Sequence, residues 1–373
     1  MGEITVRNLK LLVIVFSLIF LLLGCNDQKI IENLGFMSVM CFDKASDSDE
    51  EKMLVTSTFP SFSDESTSTE IKLDTVAYSK KEAEKQLSAK TEQQIVNGQI
   101  RSLIFGEEFA SDGINRIIQS VERDREIGSQ VKVVVAEGEA SAILESIPIE
   151  STGNYVDKML KKDTDKFTIP YADIHHFSRD LLDDGIDPVV PLIGVEGKDV
   201  VVKGSALFRG DQYVGNLTIP ESKILLLLIG KVKSSDLVVK IPQESGYRNF
   251  FFSYNHSKPK VNVKKNGAGI KEIRIHVTME GALLEDTGSH IKGDSPTNYK
   301  EVEKLIDRHL TNEAAKLIEI LKEKQADSLG VSRIVRNSVS YGQWKSMKEE
   351  DLLEKVPVNI SFNVVVRDNG MLQ

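Results

Sequence analysis

The sequence predicts an α+β protein of three mixed α/β domains, each a largely antiparallel sheet with packed helices. Strand-like and helix-like segments alternate through the first half of the chain. The last third begins with strands, continues with one long helix and ends in a strict period of two at residues 356–366. At 373 residues the chain is also too long for one ordinary core.

Short apolar and amphipathic segments define the N-terminal elements. We expect strands at 35–42, 53–55, 100–105 and 131–136, and helices at 80–96, 114–121, 156–160 and 174–182. Asp112 is the expected cap of the helix at 114–121. The acidic segment 46–51 is interpreted as a solvated hairpin tip, because it lacks the glycine of a calcium loop. The Ser- and Thr-rich segment 56–69 is predicted to be a loop.

Clustered Asp, Pro and Gly at 183–198 predict a domain boundary. A β-rich stretch at 200–217 follows, and then an apolar helix at 224–229 that ends at Gly230. Further strands are expected at 261–264 and 270–284, before a long helix whose apolar stripe runs through 302–321. The predicted domains are therefore an N-terminal α/β domain at 25–197, a middle domain at 198–245 and a sheet-plus-long-helix domain at 246–373.

The first 24 residues have the pattern of a bacterial lipoprotein signal peptide. Basic Arg7 and Lys10 precede an apolar run at 11–23, and Leu22, Leu23 and Gly24 provide the signal peptidase recognition before Cys25. These thirteen residues, interrupted only by Ser17, span about 20 Å of helix, short of the roughly 30 Å hydrocarbon core, although an uncleaved anchor stays the alternative. We expect lipidation at Cys25, which would hold the protein on the outer face of the bacterial cell membrane.

Charge and cysteine content exclude several other roles. The formal net charge of −9 disfavours binding to nucleic acid or to anionic lipid, so the covalent lipid and not a basic patch is expected to attach the protein. Only one cysteine besides Cys25 exists, which leaves no intrachain disulfide after lipidation. That residue, Cys41, lies in an apolar run and is interpreted as a small buried hydrophobe.

No motif in the sequence predicts catalysis, a metal or a cofactor. Adjacent His175 and His176 would point about 100 degrees apart on a helix and do not form a metal pair. Phosphate-loop, nucleophile-elbow and zinc-protease patterns are missing from the sequence. The many Asp and Glu residues leave an acid/base pair open, but their spacing selects none. We therefore expect a protein that is not an enzyme.

Several segments, in this order, resemble the Ger(x)C proteins, the lipoprotein C subunits of nutrient germinant receptors in endospore-forming bacteria. They are residues 24–27 (GCND), 31–36 (IENLGF), 43–44 (DK), 131–138 (VKVVVAEG), 204–211 (GSALFRGD), 214–217 (VGNL), 230–233 (GKVK) and 325–330 (QADSLG), with Trp344. The resemblance implies a three-domain, non-enzymatic receptor subunit beside A-type and B-type integral membrane subunits in the inner membrane of the spore. It also implies a role in triggering germination, which we interpret as that of a docking platform.

Two other classes of protein remain as alternatives at this stage. A lipid-anchored solute-binding protein of a transporter would share the leader and the size, but should have two similar α/β lobes. A lipid-anchored hydrolase would need a nucleophile or a metal constellation, and none is recognisable.

Overall fold

The computed structural model describes residues 34–46, 51–61, 69–147, 152–230, 232–243, 246–267, 269–287, 299–348 and 350–367. The strands of this part are β1 (Leu34–Phe36), β2 (Val39–Lys44), β3 (Met53–Ser61), β4 (Thr69–Ala77), β5 (Gln94–Val96), β6 (Ser102–Gly106), β7 (Lys132–Ala136), β8 (Val189–Glu196), β9 (Asp199–Arg209), β10 (Gln212–Thr218), β11 (Ser235–Gln243), β12 (Gly246–Asn266), β13 (Gly269–Asp286) and β14 (Val358–Val366).

The helices of the described residues lie between these strands. They are α1 (Lys80–Ser88), α2 (Glu107–Ser111), α3 (Asn115–Glu122), α4 (Ala140–Ser146), α5 (Thr152–Asp165), α6 (Ile174–Leu181), α7 (Ile219–Ile229), α8 (Tyr299–Glu323), α9 (Val331–Arg336), α10 (Tyr341–Met347) and α11 (Leu352–Lys355). Helices and strands are mixed along the chain, and most strand pairings are antiparallel. The predicted α+β fold class is confirmed.

An eight-stranded sheet, here called the first sheet, has the order β10-β9-β8-β7-β6-β2-β3-β4. Its central strands β8, β7, β6 and β2 are parallel, and antiparallel hairpins extend it on both sides. Successive residues of the central strands face different cores, because Leu103 and Phe105 pack with α1, α2, α3 and α6, whereas Ile104 packs with α4 and α5. Both faces of the sheet are covered, which explains the continuous apolar runs in the sequence.

A four-stranded sheet, here called the second sheet, has the order β11-β12-β13-β14. One of its faces packs on α7 and α8 in a single core, to which Phe252, Ile275, Phe362 and Leu317 belong. The apolar stripe predicted at 302–321 and the alternating strand predicted at 356–366 are both confirmed. The predicted end of the apolar helix at Gly230 is confirmed as well, because Gly230 adopts a left-handed conformation with φ of 76°.

The structure corrects four predictions in the N-terminal half. The strand expected at 35–42 is two strands, and the first of them, β1, pairs with β5 in a small separate sheet. The helix expected at 80–96 is shorter than predicted, because α1 ends at Ser88 and residues 94–96 form the strand β5. The loop expected at 56–69 is wrong, because β3 continues to Ser61 and the Ser57 hydroxyl donates to the Val39 carbonyl at 2.8 Å. Asp112 does not cap α3, since the Asp211 carboxylate instead accepts from the Asn115 N–H at 3.1 Å.

The predicted domain limits both lie in hairpins of the structure. The limit at 197/198 lies between β8 and β9, which pair in the first sheet, and the limit at 245/246 lies between β11 and β12, which pair in the second sheet. The strands of the predicted middle domain thus divide between the two sheets. The three-domain division stays a prediction.

Candidate functional site

The predicted lipidation site lies outside the described residues. Leu22, Leu23, Gly24 and Cys25 precede Leu34, where the described part of the chain begins. Lipidation and signal peptidase recognition therefore stay predictions. Among the described residues, none of the helices is both long and apolar enough to cross a membrane.

The structure brings segments that carry the family resemblance together at the carboxyl edge of the parallel strands. Asp43 lies near the end of β2, Gly106 at the end of β6, and Glu137 directly after β7. The buried Asp43 carboxylate accepts the N–H groups of Ala140 and Ser141, at 2.6 and 2.9 Å, at the start of α4. Gly106 has to be a glycine, because a Cβ there would lie 2.2 Å from the Asp43 carboxylate.

A cleft of about 260 Å³ opens at this edge, where ligands commonly bind in α/β sheets. Three of its four carboxylates, those of Asp43, Glu107 and Glu108, have partners within the protein. The Glu107 carboxylate accepts from the Tyr213 hydroxyl at 3.2 Å and from the Gly138 N–H at 3.3 Å, and Lys44 lies 3.5 Å from the Glu108 carboxylate. The cleft is lined by neither histidine nor cysteine, and its arrangement favours a structural role.

Two further segments of the resemblance meet where the first sheet contacts the loop after α8, a region we call the junction. The Asp187 carboxylate accepts the N–H of Gly210 at 2.8 Å and the N–H of Asp327 at 2.7 Å. In turn, the Asp327 carboxylate accepts the N–H groups of Val331 and Ser332, at 2.7 Å each, at the start of α9. The two carboxylates thus connect backbone N–H groups of the first sheet, the loop after α8 and the start of α9.

Two side-chain pairs reinforce the junction. Arg336 donates two hydrogen bonds to the Asp183 carboxylate, at 2.7 and 3.1 Å, and Arg209 donates to the Gln325 side-chain oxygen. A bidentate pair of this kind fixes orientation as well as distance. The family resemblance identifies the segments 204–211 and 325–330, but nothing in the sequence predicts that they contact each other.

Burial changes the protonation of the junction carboxylates. It raises the pKa of Asp327 to about 6, although the N–H groups of Ser332 and Val331 act in the opposite direction. Burial also raises the pKa of Asp187, against the N–H groups of Gly210 and Asp327. The charge of Asp187 also acts to raise the pKa of Asp327. The junction therefore contains two acids whose pKa values are raised by burial, and Asp327 changes its charge in mildly acidic solution.

The remaining candidate groups for chemistry are separate from one another. Cys41 is completely buried, and burial raises the pKa of its thiol, which confirms the interpretation as a small core residue. His176 lies 2.7 Å from the Asp173 carboxylate, the cap of α6, which also accepts from the Tyr171 hydroxyl at 2.9 Å. Across the described ranges, no group of three His, Cys, Asp or Glu residues has the arrangement to hold a metal ion.

Sequence reasoning missed one apolar cavity. It has a volume of about 190 Å³ and lies between the start of α7, β11 and α8, with Ile224, Leu237 and Leu310 in its wall. His309 is half-buried at its side, and burial lowers the pKa of this imidazole. The cavity is small, and no residue of the carboxyl-edge cleft or of the junction lines it.

Comparison with known proteins accounts for both halves of the chain. Residues 27–195 match the family model described as the spore germination protein N-terminal domain, and residues 203–370 match the spore germination B3/GerAC-like C-terminal model. The chain belongs to the GerAC family of spore germination proteins. The resemblance read from the sequence segments is thereby confirmed.

Two GerAC relatives and one solved structure are similar over most of their length. Spore germination protein GerQC of Bacillus cereus is 20% identical over 355 residues, which cover 94% of this chain and 96% of that protein. The putative spore germination protein YfkR of Bacillus subtilis strain 168 is 20% identical over 302 residues, which cover 78% and 77%. The crystal structure of the GerBC protein shares the fold, with a TM-score of 0.54, 15% identity and coverage of 87% of this chain and 96% of that one.

Membership in the GerAC family favours one of the classes of protein left open by the sequence. The family is one of spore germination proteins and is not a known enzyme family. The solute-binding alternative is not favoured.

Proposed function

We propose that the chain is a lipid-anchored, non-enzymatic C-type subunit of a nutrient germinant receptor, and that it serves as a docking platform for the A-type and B-type integral membrane subunits. The junction is the observation that carries the platform role. Asp187 binds backbone N–H groups of Gly210 and Asp327, so the two sheets are fixed to each other by groups that are then unavailable for chemistry. A rigid two-sheet body suits a scaffold, because a preorganised surface loses little entropy when it binds.

The second part of the proposal is the anchor at Cys25. A diacylglycerol on this cysteine would confine the body near its membrane partners and raise their effective concentration. Metabolic labelling with a fatty acid tests the site directly. We expect label on the parent chain and none on Cys25→Ala, with Cys41→Ala as the matched control that keeps the label. Label retained by Cys25→Ala would contradict the anchor.

Calorimetry of the lipid-free chain with amino acids, sugars and nucleosides separates docking from direct nutrient sensing. The docking proposal expects no saturable binding. The cavity beside His309 is the place to examine if binding does occur. Micromolar affinity for one nutrient, about −8 kcal/mol, would replace the platform with a sensor.

A further inference from the structure

The face of the second sheet that points away from α7 and α8 is polar over the paired segments 258–264, 272–278 and 359–363, and we call this part of it the open face. Strand register defines its members, because directly paired residues share a face and every second residue returns to it. Pairs on the open face are Lys258 with Thr278, Lys260 with His276, Asn262 with Arg274 and Lys264 with Glu272, and β14 adds Asn359, Ser361 and Asn363. Nine of these eleven side chains are exposed, and Glu272 and Thr278 are half-buried.

Positive charge dominates the open face, although the whole chain has a net charge of −9. Three lysines and Arg274 lie on it with one carboxylate, that of Glu272. The next carboxylate on the same side of β13, that of Glu280, lies 3.0 Å from the Arg367 guanidinium. The Glu272 carboxylate lies 3.3 Å from the Lys264 ammonium and 2.8 Å from the Arg274 guanidinium. Desolvation acts to raise its pKa, but the hydrogen bonds from Lys264 and Arg274 outweigh this effect and lower it. Lys258 and Lys260 have no carboxylate partner within the described residues.

Protection of a strand edge is the simplest structural explanation of such lysines. Beyond Tyr254, β12 has no pairing with β11, and charged side chains commonly keep an open edge from pairing with other chains. This explanation does not account for Arg274, which lies on β13 between two paired strands. The positive charge therefore belongs to the face and not only to the edge.

We propose that the open face contacts the anionic phospholipid headgroups of the membrane. The lysines from 258 to 264 span roughly 20 Å along one strand, at about 3.4 Å per residue, which matches an extended charged surface better than a pocket. The open face has no Phe, Tyr or Trp side chain for stacking on bases, and no large apolar anchor of the kind that dominates protein interfaces. Clustered lysines attract an anionic leaflet, and the acidic remainder of the chain would turn away from it. The contact rests on the proposed function only in that the anchor brings the body to the membrane.

Vesicle flotation tests the contact without the anchor. The lipid-free chain of residues 26–373, which includes every described residue, is mixed with vesicles of phosphatidylcholine alone or of phosphatidylcholine with phosphatidylglycerol. We expect binding only to the vesicles with phosphatidylglycerol, and weaker binding as salt increases. Lys258→Glu/Lys260→Glu should bind at least about tenfold more weakly.

A second double variant is the control, because it makes the same change of charge on a different surface of the protein. Lys158 and Lys161 are exposed on α5, so Lys158→Glu/Lys161→Glu has the same net charge as the test variant. It should bind like the parent. Equal loss in both variants, no loss in the Lys258→Glu/Lys260→Glu variant, or no preference of the parent for phosphatidylglycerol would overturn the proposal. Fatty-acid labelling of Cys25 reports on the anchor independently of these results.

Discussion

Asp187 and Asp327 exchange two backbone-linked hydrogen bonds across the junction. The Asp187 carboxylate accepts the Asp327 N–H at 2.7 Å, and the Asp187 N–H donates to the Asp327 carbonyl at 3.2 Å. These residues are 140 positions apart in sequence, and they connect the segment before β8 with the loop after α8. The reciprocal pair therefore links the segment that enters the first sheet to the loop after α8, the helix that packs on the second sheet.

Removing the Asp327 carboxylate should destabilise the protein. Asp327→Ala leaves the N–H groups of Val331 and Ser332 without their acceptor, at a cost of about 1–3 kcal/mol in the free energy of unfolding. Urea denaturation provides the measurement. Asp184→Ala is the matched control, since Asp184 is exposed nearby and should change little. Equal stability of the two variants would show that the junction does not depend on this carboxylate.

Stability should also depend on pH through Asp327. Burial raises the pKa of this carboxyl to about 6 from its ordinary value of 3.8, so the folded protein binds more protons than the unfolded chain between these values. The resulting stabilisation is fully present below about pH 3.8 and is lost as the pH rises through about 6.

Asp327→Asn removes this titration and serves as the comparison. The unfolding free energy of the parent minus that of Asp327→Asn should fall as the pH rises from about 4 to about 6. Urea titrations across this range measure the difference. A constant difference would contradict the raised pKa.

Gly204 should not tolerate a side chain. Its φ is +141°, and a Cβ would lie 1.9 Å from the Leu217 carbonyl oxygen of the paired strand β10. Gly204→Ala is expected to cost more than about 3 kcal/mol or to prevent folding. Gly197→Ala also has a positive φ, of +64°, but meets open space, and should cost about 1–2 kcal/mol. Thermal unfolding of both variants tests this order of stability. A Gly197→Ala variant that is less stable than Gly204→Ala would contradict the prediction.

Lys80 is a charged residue in the core whose removal should be costly. Its side chain is fully buried, and its ammonium binds the Glu84 carboxylate and, at 2.9 Å, that of Asp124. Although burial opposes it, the hydrogen bonds from Lys81 and Lys80 hold the pKa of Asp124 well below its usual range. Lys80→Ala leaves these carboxylates with Lys81 as their charged partner and with the Asn97 amide as a neutral donor, and we expect a loss of about 3 kcal/mol. Exposed Lys85→Ala is the control, and an equal effect of both changes in urea denaturation would contradict the prediction.

The sequence predicted those parts of the fold that depend on local periodicity. The stripe of α8 and the alternation of β14 are visible in the sequence because each repeats over several turns or residue pairs. Ser57 was assigned to a loop from its type, but its hydroxyl is satisfied by the Val39 carbonyl of a paired strand. Long-range contacts of this kind determine the length of β3 and the hydrogen bonding at the start of α3, where the Asp211 carboxylate accepts from the N–H of Asn115, 96 positions away.

The candidate sites were predictable to a lesser extent. The segments at 204–211 and 325–330 were recognised by resemblance, but only the structure shows Arg209 binding Gln325. Lysines alternate visibly from Lys258 to Lys264, yet their register with Arg274 depends on the pairing of β12 with β13. The sequence led us to expect no basic patch because net charge is a sum over the chain, whereas a binding face depends on where the charges lie.

We propose that this chain holds the membrane subunits of one germinant receptor in place through a tethered body. This proposal is tested most directly in spores that lack only this chain, by measuring the levels of the A-type and B-type subunits together with germination in response to each nutrient. Both subunit levels should fall and one nutrient response should be lost, while responses through other receptors persist, and Cys25→Ala should fail to restore the loss. Normal subunit levels with an unchanged nutrient response would contradict the account.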